Sequence, residues 1–223
     1  MIICLSYPLN RSAPLYPGTP GLEIAPFESI EQGDASNSSM ISFNSHAGTH
    51  IDLPRHFCPE GGTVADLLLP ETIFEPACCI ALRKGRDDPL EISDFERLPP
   101  AIRDVEAILI RTGSHRERAS NPGEYAVRHP WVHPDIPDYL RREYPGLRLF
   151  GLDAISIARP DRPDEGLAAH QGFLCKSPPI AVLEDLDLSG GILTEGCWRL
   201  RIYPLVHDDL DGVPVIALAE AYE

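Results

Sequence analysis

The stretch from residue 40 to residue 57, MISFNSHAGTHIDLPRHF, constrains the fold more than any other part of this sequence. Apolar side chains occupy most of its odd positions, whereas polar side chains, glycine or proline occupy its even positions from 42 to 56. Alternation with a period of two is typical of an extended chain that buries one face. A helix is disfavoured because Gly48, the β-branched Thr49 and Pro54 all lie inside the stretch. The sequence therefore predicts an extended segment with one polar face.

That polar face carries four side chains of the types that bind metal ions, namely His46, His50, Asp52 and His56. At about 3.3 Å per residue, the Cα atoms of His50 and Asp52 lie roughly 6.5–7 Å apart, within reach of one ion. His46 and His56 would lie roughly 33 Å apart on a straight strand, so a shared site requires the chain to bend. The glycine and the proline inside the stretch permit such bends. Imidazole and carboxylate ligands suit Zn²⁺, Mn²⁺ or Fe²⁺, and we predict a divalent metal site. The alternative is a polar strand face that is open to water.

The same stretch resembles the signature of a known family. Residues 46–57, HAGTHIDLPRHF, are similar to the H-x-G-T-H-x-D-x-P-x-H-F signature of the bacterial cyclase family, whose members include metal-dependent kynurenine formamidases and isatin hydrolases. Residues 5–9 and 16–20 resemble the opening of that family, and residues 110–113 and 151–156 resemble its central markers. The resemblance thus extends over most of the chain.

The family resemblance implies a swivelling β/β/α sandwich with a metal site in a central pocket. It implies a general acid/base role for His56, which can also contact the metal. It also implies a homodimer or larger assembly whose neighbours help to line the pocket, and it places the proline-rich arm at 11–21 near the active site or a partner subunit. From the sequence alone, a plain surface loop is an equal alternative for that arm. The metal ligands that the resemblance implies are His46, His50, Asp52, His170 and Glu184.

The charge balance excludes several classes of partner. The chain has 19 basic and 34 acidic side chains, a formal net charge of −15, and no run of Lys and Arg. Nucleic acid and anionic membrane are therefore poor partners, and a small neutral or weakly charged substrate fits best. No stretch approaches the roughly 20 apolar residues of a membrane helix, and the N terminus lacks the basic region of a signal peptide. We expect a cytoplasmic protein.

The cysteines show neither a C-x-x-C pair nor a regular framework. We interpret all six as small buried apolar side chains in a reducing compartment. They are Cys4, Cys58, Cys78, Cys79, Cys175 and Cys197.

The remaining pattern predicts a mixed α/β fold with many strands and few helices, in a single domain over residues 1–223. A loop predicted at 113–133 carries three histidines, which we interpret as plain loop residues rather than ligands. Helices are predicted at 63–68, 93–98, 138–144 and 164–174. Strands are predicted at 2–6, 22–24, 75–82, 105–111, 147–152, 180–184, 199–205 and 213–219.

Two acidic residues close predicted strands. Asp153 follows the strand at 147–152, and we favour a capping role over a catalytic one. Glu184 is a charge in an otherwise apolar run, and a buried carboxylate needs a cation or a hydrogen-bonding partner. A metal ion would supply the cation, and an arginine partner is the alternative.

Together these residues predict hydrolysis of a C–N amide bond, in a formamide or a cyclic amide, by a metal-activated water. No G-x-S-x-G elbow or activated cysteine indicates a nucleophile mechanism. Ligands alone do not fix the reaction, so a metal-dependent lyase or isomerase of a small carbonyl substrate is the alternative. A purely structural ion is disfavoured because structural sites are closed and mostly built from cysteine and histidine.

Overall fold

The computed structural model describes residues 1–67, 71–98, 102–205 and 209–222. In this part of the chain the five α-helices are α1 (Ile92–Phe95), α2 (His115–Ser120), α3 (Pro122–Val127), α4 (Ile136–Glu143) and α5 (Pro163–Leu174). The strands are β1 (Ile2–Cys4), β2 (Glu23–Glu28), β3 (Ser38–Ser42), β4 (His50–Asp52), β5 (Ile73–Ala81), β6 (Pro89–Leu90), β7 (Ala107–Arg111), β8 (Trp131–Val132), β9 (Leu149–Leu152), β10 (Ala181–Glu184), β11 (Cys197–Pro204) and β12 (Gly212–Ala221). The predicted mixed α/β class with few helices is confirmed.

A mixed sheet of eight strands forms the centre of the molecule, in the order β1-β12-β11-β5-β7-β9-β10-β4. The strands β5, β7, β9 and β10 run parallel, and the other pairs are antiparallel. The short strand β4 pairs with β10 on one side and with β12 on the other, so the sheet closes on itself. The hairpin of β2 and β3 stands apart as a separate two-stranded sheet.

Strand β7 shows why the parallel part of the sheet has near-continuous apolar sequences. Leu109 packs into a core inside the closed sheet, whereas Ile108 and Ile110 pack into a second core against α4 and α5. A strand that is buried on both faces carries apolar side chains on both, so its sequence does not alternate between apolar and polar residues. Strand β11 buries only alternate residues along most of its length, as expected for an antiparallel strand with one solvated face.

The stretch at 40–57 is less extended than the sequence predicts. Strand β3 ends at Ser42, a turn and a bend occupy residues 45–49, and β4 begins only at His50. Gly48 bends the chain at a positive φ of 66°, and Pro54 begins a short 3-10 helix that ends at His56. The prediction of one extended segment is wrong, but the bends occur at the two residues expected to permit them.

The predicted loop at 113–133 is also wrong, because α2, α3 and β8 occupy it. The helices α2 and α3 have six residues each and β8 has two, so none is long enough to show an apolar period in the sequence. The helical piece predicted at 63–68 is a 3-10 helix at Val64–Asp66, and residue 68 lies outside the described residues. The helix predicted at 93–98 is the single turn of α1, and the prolines 99 and 100 that follow lie outside the described residues.

The prediction that all six cysteines are buried thiols is wrong, because four of them form disulfides. Each disulfide joins cysteines more than one hundred positions apart, which the spacing of cysteines in the sequence does not reveal. Two disulfides are present, Cys58–Cys175 and Cys78–Cys197, whereas Cys4 and Cys79 are free. Within the described residues, no helix combines the length and the apolar character needed to cross a membrane.

Candidate metal centre

The predicted ligands converge around the short strand β4. His50 and Asp52 lie two residues apart on β4, so their side chains share one face of the sheet. Glu184, the last residue of β10, is the register partner of His50 in the antiparallel pair. His170 lies on α5, which packs beside β10. Three separate elements therefore deliver four ligand-type side chains to one place.

These four side chains form a buried ring in which imidazole and carboxylate groups alternate. His50 Nε2 lies 3.3 Å from Asp52 Oδ1 and 3.5 Å from Glu184 Oε2. His170 Nε2 lies 3.6 Å from Asp52 Oδ2 and 3.6 Å from Glu184 Oε1. Each residue is at most 5% exposed, so water does not compensate these charges.

The orientation of both imidazole rings fits a cation at the centre of this ring. The Nδ1–H groups of His50 and His170 donate to the backbone carbonyls of Gly48 and Gly166, each at 2.8 Å. These bonds leave both Nε2 atoms facing carboxylates, and a proton or a cation must lie between such groups. The separations of 3.3–3.6 Å exceed those of good hydrogen bonds. Three of these residues, His50, Asp52 and Glu184, each offer a ligand atom within 4.8 Å of those of the other two, and such imidazole and carboxylate donors fit a divalent ion.

A second group of ligands shares Asp52 with the first. His46 Nδ1 lies 2.7 Å from Asp52 Oδ1, and the His46 and His56 rings stack with their centroids 3.9 Å apart. Asp211 joins both rings, at 3.1 Å from His46 Nε2 and 2.8 Å from His56 Nδ1. His46, Asp52 and His56 offer ligand atoms within 4.8 Å of one another, as do His50, Asp52 and Glu184.

The carboxylates strongly perturb the histidines around them. Burial alone lowers the pKa of His170, but the facing carboxylates of Asp52 and Glu184 outweigh it and raise that pKa to about 10. Burial is likewise outweighed at His46, where hydrogen bonds to Asp211 and Asp52 raise the pKa to about 10. In the metal-free protein these raised pKa values favour protonated imidazoles beside the carboxylates, and a metal ion that binds here displaces those protons.

His56 behaves differently from the other histidines. Burial lowers its pKa below the ordinary histidine value and outweighs the opposing effect of the Asp52 carboxylate. Its Nδ1–H donates to Asp211, so Nε2 is the free basic nitrogen. A neutral, oriented imidazole of this kind can accept and return a proton near neutral pH.

Glu184 has polar support but no arginine partner within the described residues. Its Oε1 accepts hydrogen bonds from the Ser156 hydroxyl at 3.1 Å and from the Ile157 backbone N–H at 2.7 Å. The arginine alternative for this carboxylate is therefore wrong. Arg118 pairs instead with the next residue, Asp185.

Sequence reasoning missed Asp211, which lies just before β12 and orients two histidines. Its signal, an Asp-Gly pair ahead of a strand, is typical of an ordinary turn. A glycine is required at position 212 after this aspartate, because a Cβ atom there would lie 2.5 Å from His46 Cε1. The contact joins residues 165 positions apart, and the local pattern does not encode it.

The histidines of 113–133 lie away from the cluster, as expected. His115 faces Asp153, which accepts the backbone N–H groups of Thr112 and Gly113 and so has the structural role we favoured. His129 lies between two backbone carbonyls, and His133 is partly exposed.

A cavity of about 400 Å³ opens above the cluster. Tyr16 and Thr19 of the proline-rich arm line it, so the arm lies at the site rather than forming a plain surface loop. Phe57, Ile155 and Leu167 supply an apolar wall, and the Phe57 ring stacks on His170 at 4.5 Å. This arrangement suits a small, flat and partly apolar ligand.

Comparisons with known proteins agree with this arrangement. The Cyclase family model matches residues 3–159, well over half of the chain. A kynurenine formamidase of Bacillus anthracis is 30% identical over 221 residues, covering 97% of this chain and 95% of that protein. One of Bacillus thuringiensis (strain Al Hakam) is 31% identical over the same shares.

Solved structures share the fold. Isatin hydrolase A from Labrenzia aggregata, bound to benzyl benzoate, has a TM-score of 0.78 at 20% identity and covers 100% of this chain and 94% of its own. An isatin hydrolase bound to the product analogue thioisatinate has a TM-score of 0.80 at 18% identity, with coverage of 100% and 92%. The predicted fold class is confirmed, and the chain belongs to the Cyclase family.

Proposed function

We propose that this protein is a metal-dependent amidohydrolase that cleaves a C–N amide bond with a metal-activated water. The observation that carries the proposal is the buried ring of His50, Asp52, His170 and Glu184, whose facing atoms lie 3.3–3.6 Å apart. The kynurenine formamidases among its relatives support a formamide of an aromatic amine as substrate. The fold shared with isatin hydrolases is compatible with a cyclic amide.

The ring and the second group together have room for one or two divalent ions, and we propose Zn²⁺ or Mn²⁺. Both ions accept imidazole and carboxylate ligands, and the absence of cysteine among these residues argues against a closed structural site. A divalent ion bound there supplies Lewis acidity towards a carbonyl and lowers the pKa of a water molecule towards ~7. The proposed ligands are His46, His50, Asp52, His56, His170 and Glu184.

His56 is the proposed general acid/base. Its Nε2 accepts a proton from the attacking water and then delivers it to the leaving nitrogen. Asp211, 2.8 Å from Nδ1, fixes the tautomer and stabilises the imidazolium that forms between the two transfers. The lowered pKa of His56 keeps the ring in its basic form at neutral pH before the reaction begins.

The cavity walls position the substrate. Phe57 and Leu167 offer apolar surface to an aromatic or cyclic group, and Tyr16 and Asn44 offer polar groups at the rim. If N-formylkynurenine is the substrate, the protein acts in tryptophan catabolism.

The test is an amidase assay with N-formylkynurenine and isatin on the metal-loaded protein. Asp52→Ala is expected to lose both bound metal and activity while the circular dichroism spectrum stays that of the folded protein. His56→Asn is expected to keep an ion in the buried ring, which does not include His56, and to lose about 10²–10⁴-fold in kcat. His133→Ala, a change at a partly exposed histidine that does not line the cavity, is the matched control. Unchanged turnover after thorough chelation would contradict the proposal.

The same assay separates the alternatives. Turnover of hydroxyacid or sugar-acid substrates, with none of the two amides, would favour the lyase or isomerase. Loss of the fold itself on chelation would favour a structural ion, whereas we expect a folded and inactive protein.

We also propose a homodimer of single-domain chains. The separate hairpin exposes large apolar side chains on its two faces, which a partner would cover. These are Ile24, Phe27, Met40 and Ile41, of which Phe27 is 71% exposed. Sedimentation analysis of Phe27→Asp is expected to show a smaller species than the unmodified protein. A cytoplasmic location stays a prediction, and the two disulfides weigh against it.

A further inference from the structure

A second cavity, outside the metal site, is lined by six Lys and Arg side chains and one carboxylate, that of Glu117. It has a volume of about 270 Å³ and lies where the parallel strands β5 and β7 end, at the register pair Ala81 and Arg111. In α/β sheets, ligands bind outside the carboxyl ends of parallel strands. The chain has only 19 basic residues and a net charge of −15, so basic side chains gathered here require an explanation. The six cations of this basic pocket are Arg83, Lys84, Arg86, Arg111, Arg116 and Arg128.

Three of these cations already have acidic partners. Lys84 pairs with Asp94 at 2.6 Å, and Arg86 pairs with Glu117 at 2.8 Å. Arg128 pairs with Asp87. The guanidinium groups of the other three, Arg83, Arg111 and Arg116, have no acidic partner within residues 1–67, 71–98, 102–205 and 209–222.

Arg111 is the part of the pocket that is held by the fold. It ends β7 and is half-buried, and its Nη2 donates to the Ser189 carbonyl at 3.1 Å. Its Nε is buried and has no hydrogen-bond partner among the described atoms. Arg111 lines the basic pocket without an acidic partner among the described residues, and a guanidinium group in that position favours an anionic ligand.

The loop beside Arg111 is held by hydrogen bonds to Asp153. Asp153 accepts N–H donors from Thr112 at 2.8 Å and from Gly113 at 2.9 Å, and both residues line the basic pocket. Two positions after Asp153, Ile155 lines the metal cavity. The two cavities share no lining residue.

We propose that the basic pocket binds a small phosphate dianion, either inorganic phosphate or the phosphate group of a small ester. Guanidinium groups bind phosphate oxygens through paired hydrogen bonds, and two negative charges match the unpaired cations better than one. The volume is near the lower end of the range for small-molecule sites, so it accommodates a phosphate with a small organic group.

The experiment is calorimetric titration of the metal-loaded protein at constant ionic strength, with inorganic phosphate in one arm and phenyl phosphate in the other. Tighter binding of phenyl phosphate identifies an ester as the ligand class, and equal or weaker binding identifies free phosphate. Arg111→Gln is expected to weaken binding by at least about tenfold, as loss of a charged hydrogen-bond pair requires. Arg116→Gln, at an exposed residue whose replacement does not disturb the core, is expected to weaken it several-fold.

Two controls keep the result specific to the basic pocket. Arg142→Gln removes the same charge from the exposed surface of α4 and is expected to leave the affinity unchanged. Chelation of the metal is also expected to leave it unchanged. Binding that disappears on chelation and survives Arg111→Gln would place the phosphate at the metal centre and overturn the proposal. Absence of binding, together with a smaller sedimenting species for Arg111→Gln, would instead identify a contact between copies of the chain.

Discussion

Removal of the Arg118 guanidinium should destabilise the protein, because it neutralises a buried carboxylate directly behind the metal cluster. Arg118 Nε and Nη2 donate to the two oxygens of Asp185, each at 2.7 Å, and the Tyr125 hydroxyl donates to Oδ1 at 2.6 Å. The Asp185 side chain is 1% exposed. Its φ of 52° is unusual for a residue other than glycine, so these bonds hold a strained backbone next to Glu184.

The size of the effect follows from this burial. Arg118→Met keeps the volume of the side chain and leaves Asp185 without its cation. Removing one member of a buried ion pair typically costs about 3–5 kcal/mol. At about 2–4 °C per kcal/mol for a chain of this size, the melting temperature should fall by about 6–20 °C. The metal affinity should fall too, because the Asp185 carbonyl accepts the hydroxyl of Thr49, the neighbour of His50.

The loss of stability in Arg118→Met should depend on pH in a defined direction. Burial already raises the pKa of Asp185 above its ordinary value, and it outweighs the lowering effect of Arg118. Without that guanidinium the pKa rises further, so the folded variant binds more protons than the unfolded chain. Stability of the variant should therefore rise as the pH falls through the folded pKa, and its deficit should be smaller at pH 5 than at pH 8.

Urea unfolding followed by circular dichroism measures both effects. Arg116→Met, two residues away on α2 and exposed, is the matched control and should cost less than about 0.5 kcal/mol. A deficit below about 1 kcal/mol for Arg118→Met, or one that grows on acidification, would refute this reasoning.

Three further predictions concern the cluster and its supports. Gly212→Ala should weaken metal binding about 10–100-fold, because the new methyl group displaces His46. Gly191→Ala is the control and should bind metal normally, since the space around Gly191 is open. Equal metal content in the two variants would contradict this prediction. Double replacement of Cys58 and Cys175 by serine should cost about 2–5 kcal/mol in urea unfolding, because the disulfide closes a long loop; six free thiols in the denatured, unreduced protein would contradict the pairing. His46 and His170 have folded pKa values of about 10, above the unfolded value, so the chelated protein should lose stability as the pH rises from 7 to 10; a flat melting temperature would contradict this.

The sequence predicted the parts of the molecule that local pattern encodes. The core strands β7 and β9 are apolar runs, and the helix predicted at 164–174 is α5, which begins one residue earlier. His50 and Asp52 are correctly placed together because a period of two puts them on one face of a strand.

The rest depends on contacts between distant parts of the chain. Asp211 reaches His56 across 155 positions, and Cys58 reaches Cys175 across 117. No local pattern distinguishes such residues from an ordinary turn aspartate or a buried thiol. The turn around His46 was missed for a related reason, because the alternation of 40–57 continues through residues whose backbone is bent.

The central claim is that the four side chains of the buried ring hold a metal ion. Anomalous scattering from crystals of the metal-loaded protein, recorded at the absorption edge of the bound metal, tests it most directly. We predict one strong peak about 2.0–2.2 Å from His50 Nε2, His170 Nε2 and oxygens of Asp52 and Glu184. A metal-loaded crystal whose strongest peak lies away from all four side chains would contradict the account.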